Sequence, residues 1–100
     1  MSKWSKQQYQ RFIRETAKDC ARVVFTAHAE QRMRLRGISH AMALEVLRKG
    51  LLRRTPEPNM RHGTMECRME YYVAGRNLGV VSAVVEADPD LVVITAMEID

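Results

Sequence analysis

The sequence predicts an α+β fold in which N-terminal helices pack on one face of a C-terminal antiparallel β-meander. Two observations carry this. Apolar residues recur at helical spacing as far as Lys49, and after Gly63 the period changes to two. The helical segments also precede the main strands, an order that places helices on one side of a sheet. The chain has 100 residues, room for one core, so a single domain over 1–100 is expected.

The first helix is expected over about residues 5–21, where Tyr9, Phe12, Ile13, Ala17 and Cys20 share a face and Ser5 serves as N-cap. The short stretch Arg22–Phe25 reads as extended. Thr26 opens a second helix that runs to about Leu35 and stops at Gly37. Ser39 caps a third, with Ala43, Val46 and Leu47 as its apolar stripe and Gly50 at its end. The segment TPEPN interrupts helix through its two prolines and is the one linker-like stretch.

Beyond Gly63, Met65, Cys67, Met69, Tyr71 and Val73 alternate with Thr64, Glu66, Arg68, Glu70 and Tyr72, the pattern of a half-buried strand. AGRN suits a hairpin turn. LGVVSAVVEA is apolar on both faces, as a central strand covered on each side would be. ADPD makes the next turn, and LVVITAM is the last strand. Met33, Met65, Met69 and Met97 are expected in the core.

Charge is divided unevenly. Residues 1–54 carry thirteen basic and four acidic side chains, and residues 55–100 carry three and eight. A net charge of +4 therefore conceals a basic helical half and an acidic sheet half. This asymmetry points to a polyanion, an acidic protein partner or self-association as a homodimer. No apolar run is long enough to span a bilayer, and the polar start lacks the core of a signal peptide, so no membrane partner and a cytoplasmic location are expected. In that compartment Cys20 and Cys67 are expected as buried thiols.

Three groups of residues bear on chemistry. His28, Arg32 and Arg36 fall at i, i+4 and i+8 and form one helical stripe. Guanidiniums bind phosphate oxygens in a fork, and an imidazole moves protons near neutral pH. The same residues also suit a structural role, with His28 packed at the helix start and Arg32 paired to Glu66 or Glu70. Arg53, Arg54, Arg61 and His62 flank the proline-containing connection. Arg68, Tyr72 and Arg76 lie on or near the polar sheet face, where one of Tyr71 and Tyr72 can stack on a base. The histidines and cysteines lack the close spacing of metal ligands, so neither a metal nor a cofactor is expected. Residues 26–49 imitate a helix-turn-helix, but the apolar content of the second helix marks it as a core helix.

The pattern F-T-x-H-A-x-x-R-M-x-x-R-G-I-S over residues 25–39, followed by a helix ending in Gly and three strands, resembles a small bacterial family. That family is a domain of unknown function found in bacteria and mobile elements and sometimes grouped with RelE- and BrnT-like toxins. The resemblance covers about residues 23–97 and leaves residues 1–22 as an added N-terminal helix. It implies a RelE-like small fold and an RNA-directed basic module. It also implies a metal-independent endoribonuclease, in which His28 or His62 would be the base and Arg32, Arg36 or Arg61 would supply charge. A toxin of this type would have an antitoxin as partner. The chain departs from such toxins in its C-terminus, where Glu98 and Asp100 stand in place of basic residues, and this favours binding over cleavage. The alternative is a non-enzymatic phage or mobile-element accessory protein that binds an acidic protein through its basic half.

Overall fold

The computed structural model describes residues 4–85 and 88–99. Helix α1 (Lys6–Ala17) starts at Ser5, whose hydroxyl accepts from the Gln8 amide while the Gln8 side chain accepts from the Ser5 amide. It buries Tyr9, Ile13 and Ala17. The helix stops short of residue 21. Asp19 turns its carboxylate to the Ala21 amide and begins a 3₁₀ turn at Cys20–Arg22, a local bond that competes with helix. Cys20 is consequently exposed, and only Cys67 is a buried thiol.

Strand β1 (Val23–Phe25) leads into α2 (Ala27–Arg36), which Thr26 caps and Gly37 ends at φ 67°. Helix α3 (His40–Lys49) buries Ala43, Val46 and Leu47, as a core helix should. Gly50 ends α3 in extended backbone, with φ −74°. Its bareness serves proximity. A Cβ there would run into the Val46 carbonyl and stand 2.8 Å from the carbonyl oxygen of Glu70.

The remaining strands are β2 (Leu51–Leu52), β3 (Glu57–Asn59), β4 (Thr64–Val73), β5 (Arg76–Val84) and β6 (Leu91–Glu98). Sheet order is β1-β6-β5-β4-β2, with β3 also on β4. Strands β4, β5 and β6 form the expected antiparallel meander, but β1 runs parallel to β6, so the sheet is mixed. Alternation marks three residues as extended without saying which edge they join. Here Val23 and Phe25 register with Leu91 and Val93, which puts all four on the helix-covered side. TPEPN is no linker, because Glu57–Asn59 pairs with β4 at an edge where a proline is tolerated. The AGRN hairpin turns at Ala74 and Gly75, both with positive φ. Of the ADPD turn, Ala87 lies outside the described residues, while the Asp88 carboxylate accepts from the Asp90 amide.

Helices α2 and α3 cover one sheet face, where Cys67, Met69, Leu78, Val80, Leu91 and Val93 are buried. Among the described residues no helix covers the other. Central strand β5 is therefore shielded on that side by neighbouring side chains alone; Ile99 and Arg68 lie over Gly79. Met97, expected in the core, faces this open side opposite Gly79. The β-bulge between Val81 and Ser82 shifts the β6 register and so overrides simple alternation at this point. No helix is long and apolar enough to cross a membrane among the described residues.

Candidate nucleic-acid interface

Tight pairing of β2 with β4 sets Leu51 opposite Glu70 and Leu52 opposite Met69. Side chains alternate, so Leu52 enters the core while Leu51 and Arg53 join Arg68, Glu70 and Tyr72 on the open face. The result is a depression lined by Lys49, Leu51, Arg53, Glu70, Tyr71, Tyr72, Asn77 and Ile99. Helix α1 reaches its rim: Gln10 accepts from the Leu52 amide, and Lys6 Nζ lies 3.5 Å from the Arg53 carbonyl.

A three-member charge cluster borders this depression. Arg68 donates from Nε to Glu70 Oε2 at 3.0 Å, and its Nη2 lies 2.9 Å from the same oxygen as an ion pair. Arg53 Nε approaches Glu70 Oε1 more loosely, at 3.7 Å. The Glu70 side chain is 9% exposed and that of Arg68 18%, whereas Arg53 is 66% exposed. Two glycines make this possible: Gly50 packs against the Glu70 carbonyl, and Gly79, opposite Glu70, leaves room for the Arg68 stem. A nearly buried ion pair adds little net stability, since desolvation offsets much of the attraction. On the same strand face Tyr72 is 68% exposed, while Tyr71 packs against the core. Cationic groups beside an exposed aromatic ring form a surface suited to a phosphate backbone with an unstacked base.

The other sequence-selected residues are dispersed. His28 and Arg32 meet on exposed α2, with Arg32 Nε 3.4 Å from His28 Nε2; the expected pairing of Arg32 to Glu66 or Glu70 is not formed. Arg36 departs from the stripe by donating to the Ala96 carbonyl at 2.6 Å. Arg76 donates to the Arg36 and Gly37 carbonyls at 2.7 and 3.0 Å and pairs with Glu98, so it holds the C-terminus of α2 on the sheet. Asp100 lies outside the described residues. His62 lines a separate depression at the opposite end of the open face. Arg54 and Arg61 are exposed, and their side chains form no ion pair among the described residues. Glu70 and Lys49 were not singled out by sequence for this site. The strand alternation does place Glu70 beside Arg68 and Tyr72, but the approach of Arg53 and Lys49 depends on β2–β4 pairing. Among the described residues no cluster of three or more His, Cys, Asp or Glu could hold a metal.

Residues 25–98 match the family described as Domain of unknown function (DUF4258), and the chain belongs to that family. Helix α1 precedes the matched region. No curated protein and no solved structure matches the chain.

Proposed function

We propose that this DUF4258 member is a nucleic-acid-binding module of the RelE/BrnT-like kind that takes single-stranded RNA in the depression beside β2. The observation that carries the reading is the exposed Tyr72 ring, which shares a depression with Arg53 and Glu70 on a sheet face without a helical cover. Lys49, which also pairs with Glu45 at 3.5 Å, lines the same depression, and Lys6 reaches its rim at the Arg53 carbonyl. Phosphates would meet these cations, and a base would stack on Tyr72.

Binding is favoured over cleavage. An endoribonuclease needs a general base within hydrogen-bond reach of the ribose hydroxyl and cations around the phosphate. His28 lies on α2, in the layer behind the sheet, and His62 lies at the far end of the open face, so neither stands beside the Arg53–Glu70–Arg68 cluster. An acidic protein partner, including an antitoxin, would use the same positive edge and is the competing occupant.

Fluorescence anisotropy with a labelled single-stranded RNA tests the reading. Affinity should fall steeply between about 50 and 200 mM salt. Tyr72→Ala should weaken binding by about 1–3 kcal/mol, the usual worth of one stacked base. If the RNA is not retained at low salt, or if Tyr72→Ala and Arg53→Ala bind like the parent, the proposal fails. Time-dependent shortening of the RNA would instead restore the nuclease reading and put His28 and His62 back in question.

A further inference from the structure

The depression around Tyr72 has a fixed order across the sheet. Tyr72 on β4 registers with Asn77 on β5, beside the hairpin turned by Ala74 and Gly75. The Asn77 carbonyl accepts from the Ile99 amide at 2.7 Å, so the Asn77 backbone bonds toward the β6 side. A residue that bonds to one neighbouring strand forms a non-hydrogen-bonded pair with the strand on its other side. Side chains of such a pair stand closest, with Cα atoms about 4.5 Å apart. The Asn77 amide is therefore set beside the Tyr72 ring, and both line the depression.

That amide is available to a ligand. Asn77 is half-buried, and its side chain forms no hydrogen bond among the described residues. The charged groups of the depression are already paired: Glu70 with Arg68 and Arg53, and Lys49 with Glu45. Beyond Asn77 the row ends at Ile99, whose side chain lies over Gly79 so closely that a Cβ there would stand 2.7 Å from it. From the β2 edge inward, the order is thus Lys49 and Arg53, then Tyr72, then Asn77, then an apolar wall. A nucleotide laid along this row has its phosphate at the cations and its base on Tyr72. The edge remote from its sugar, the Watson–Crick edge, then meets Asn77.

We infer that Asn77 reads the Watson–Crick edge of the base stacked on Tyr72, and that the site selects purines; the inference rests on the proposed RNA binding. A carboxamide presents one donor and one acceptor side by side. Adenine answers with N6–H and N1, and guanine with O6 and N1–H, so a half-turn of the amide serves either. Cytosine and uracil carry similar groups, but their single ring ends short of Asn77 while the phosphate stays at the β2 edge. Tyr72 is the platform, and Asn77 determines specificity.

Anisotropy on the full chain, with uridine strands carrying one central adenine, guanine or cytosine, tests this. The adenine and guanine strands should bind alike, about tenfold more tightly than the cytosine and all-uridine strands. N6,N6-dimethyladenine keeps the stacking surface but has no N–H donor, and it should lose most of that gain. In Asn77→Ala, dimethylation should change nothing, whereas Tyr72→Ala should weaken every strand. Purine preference that ignores dimethylation, or that survives in Asn77→Ala, belongs to stacking alone and overturns the role of Asn77. Equal binding of all four strands overturns it too and leaves the RNA site standing. A chain that retains none of them overturns the RNA site itself. The dimethyladenine comparison needs only the parent chain, so it decides the matter even where Asn77→Ala lowers the urea midpoint.

Discussion

Arg68 reaches along its own strand to Glu70, two residues on, and grips a single carboxylate oxygen with two nitrogens at 2.9 and 3.0 Å. Residues two apart on a strand share a face, so this contact follows from the pleat itself. The second carboxylate oxygen is left to the more exposed Arg53, at 3.7 Å. Glu70 thus occupies the place beside Arg53 that a phosphate would take.

Glu70→Gln should therefore raise affinity for single-stranded RNA several-fold and steepen its salt dependence, since Arg53 gains freedom to meet phosphate. The same change should cost about 1–2 kcal/mol of stability, because Arg68 keeps only a neutral partner in a half-buried place. Anisotropy and chemical denaturation read the two effects separately. Unchanged or weaker RNA binding at preserved fold would show that the carboxylate does not compete.

Arg76→Ala should act on stability alone. Its guanidinium supplies donors to two carbonyls that α2 leaves unsatisfied, and its Glu98 pair is partly exposed. A loss of about 1–2 kcal/mol is expected from the two hydrogen bonds, with RNA affinity within two-fold of the parent. A large loss of RNA affinity would return Arg76 to the binding surface.

Gly50→Ala should be costly despite an ordinary backbone conformation. The added methyl meets backbone on both sides, the Val46 and Glu70 carbonyls, neither of which can rotate away. A destabilisation of about 1–3 kcal/mol is expected from overpacking. Gly63→Ala provides the contrast: its φ of 65° carries strain, but nothing lies within 4 Å of the new carbon. If urea midpoints for Gly50→Ala and the parent coincide, α3 does not press on β4 as described.

Burial pushes the Cys67 thiol up from 9.0 to about 12. An unfolded chain releases this proton near its ordinary value, whereas the folded chain retains it. The unfolded state thus binds fewer protons between those values, and stability falls as pH rises through that window by about 1.4 kcal/mol per unit. Below pH 9 the thiol is protonated in both states and contributes no slope. Cys67→Ala should show a shallower alkaline decline in melting temperature; equal slopes for both proteins would show that Cys67 is not the group responsible.

Much of this architecture was present in the order of residues. Ser5, Thr26 and Ser39 each announce a helix because their side chains accept a hydrogen bond three residues ahead, a purely local event. The alternation from Met65 to Val73 likewise settles which side of β4 faces the helices. It also placed Arg68, Glu70 and Tyr72 together on the other side. The parallel partner of β1, the outward turn of Met97 and the early end of α1 depended on an edge choice, a bulge and an Asp19 side-chain bond, none of which periodicity records.

The α+β class and the division between basic and acidic halves were determined by sequence alone, since local propensity and side-chain charge belong to single residues. Tertiary structure decided which charges remain available. It drew Arg36 and Arg76 to backbone carbonyls, where they hold α2, and used β2–β4 pairing to bring Arg53 to the Arg68–Glu70 pair. A guanidinium reaches several ångströms from its backbone, so whether it caps a helix or faces a ligand is set by the neighbours that folding supplies.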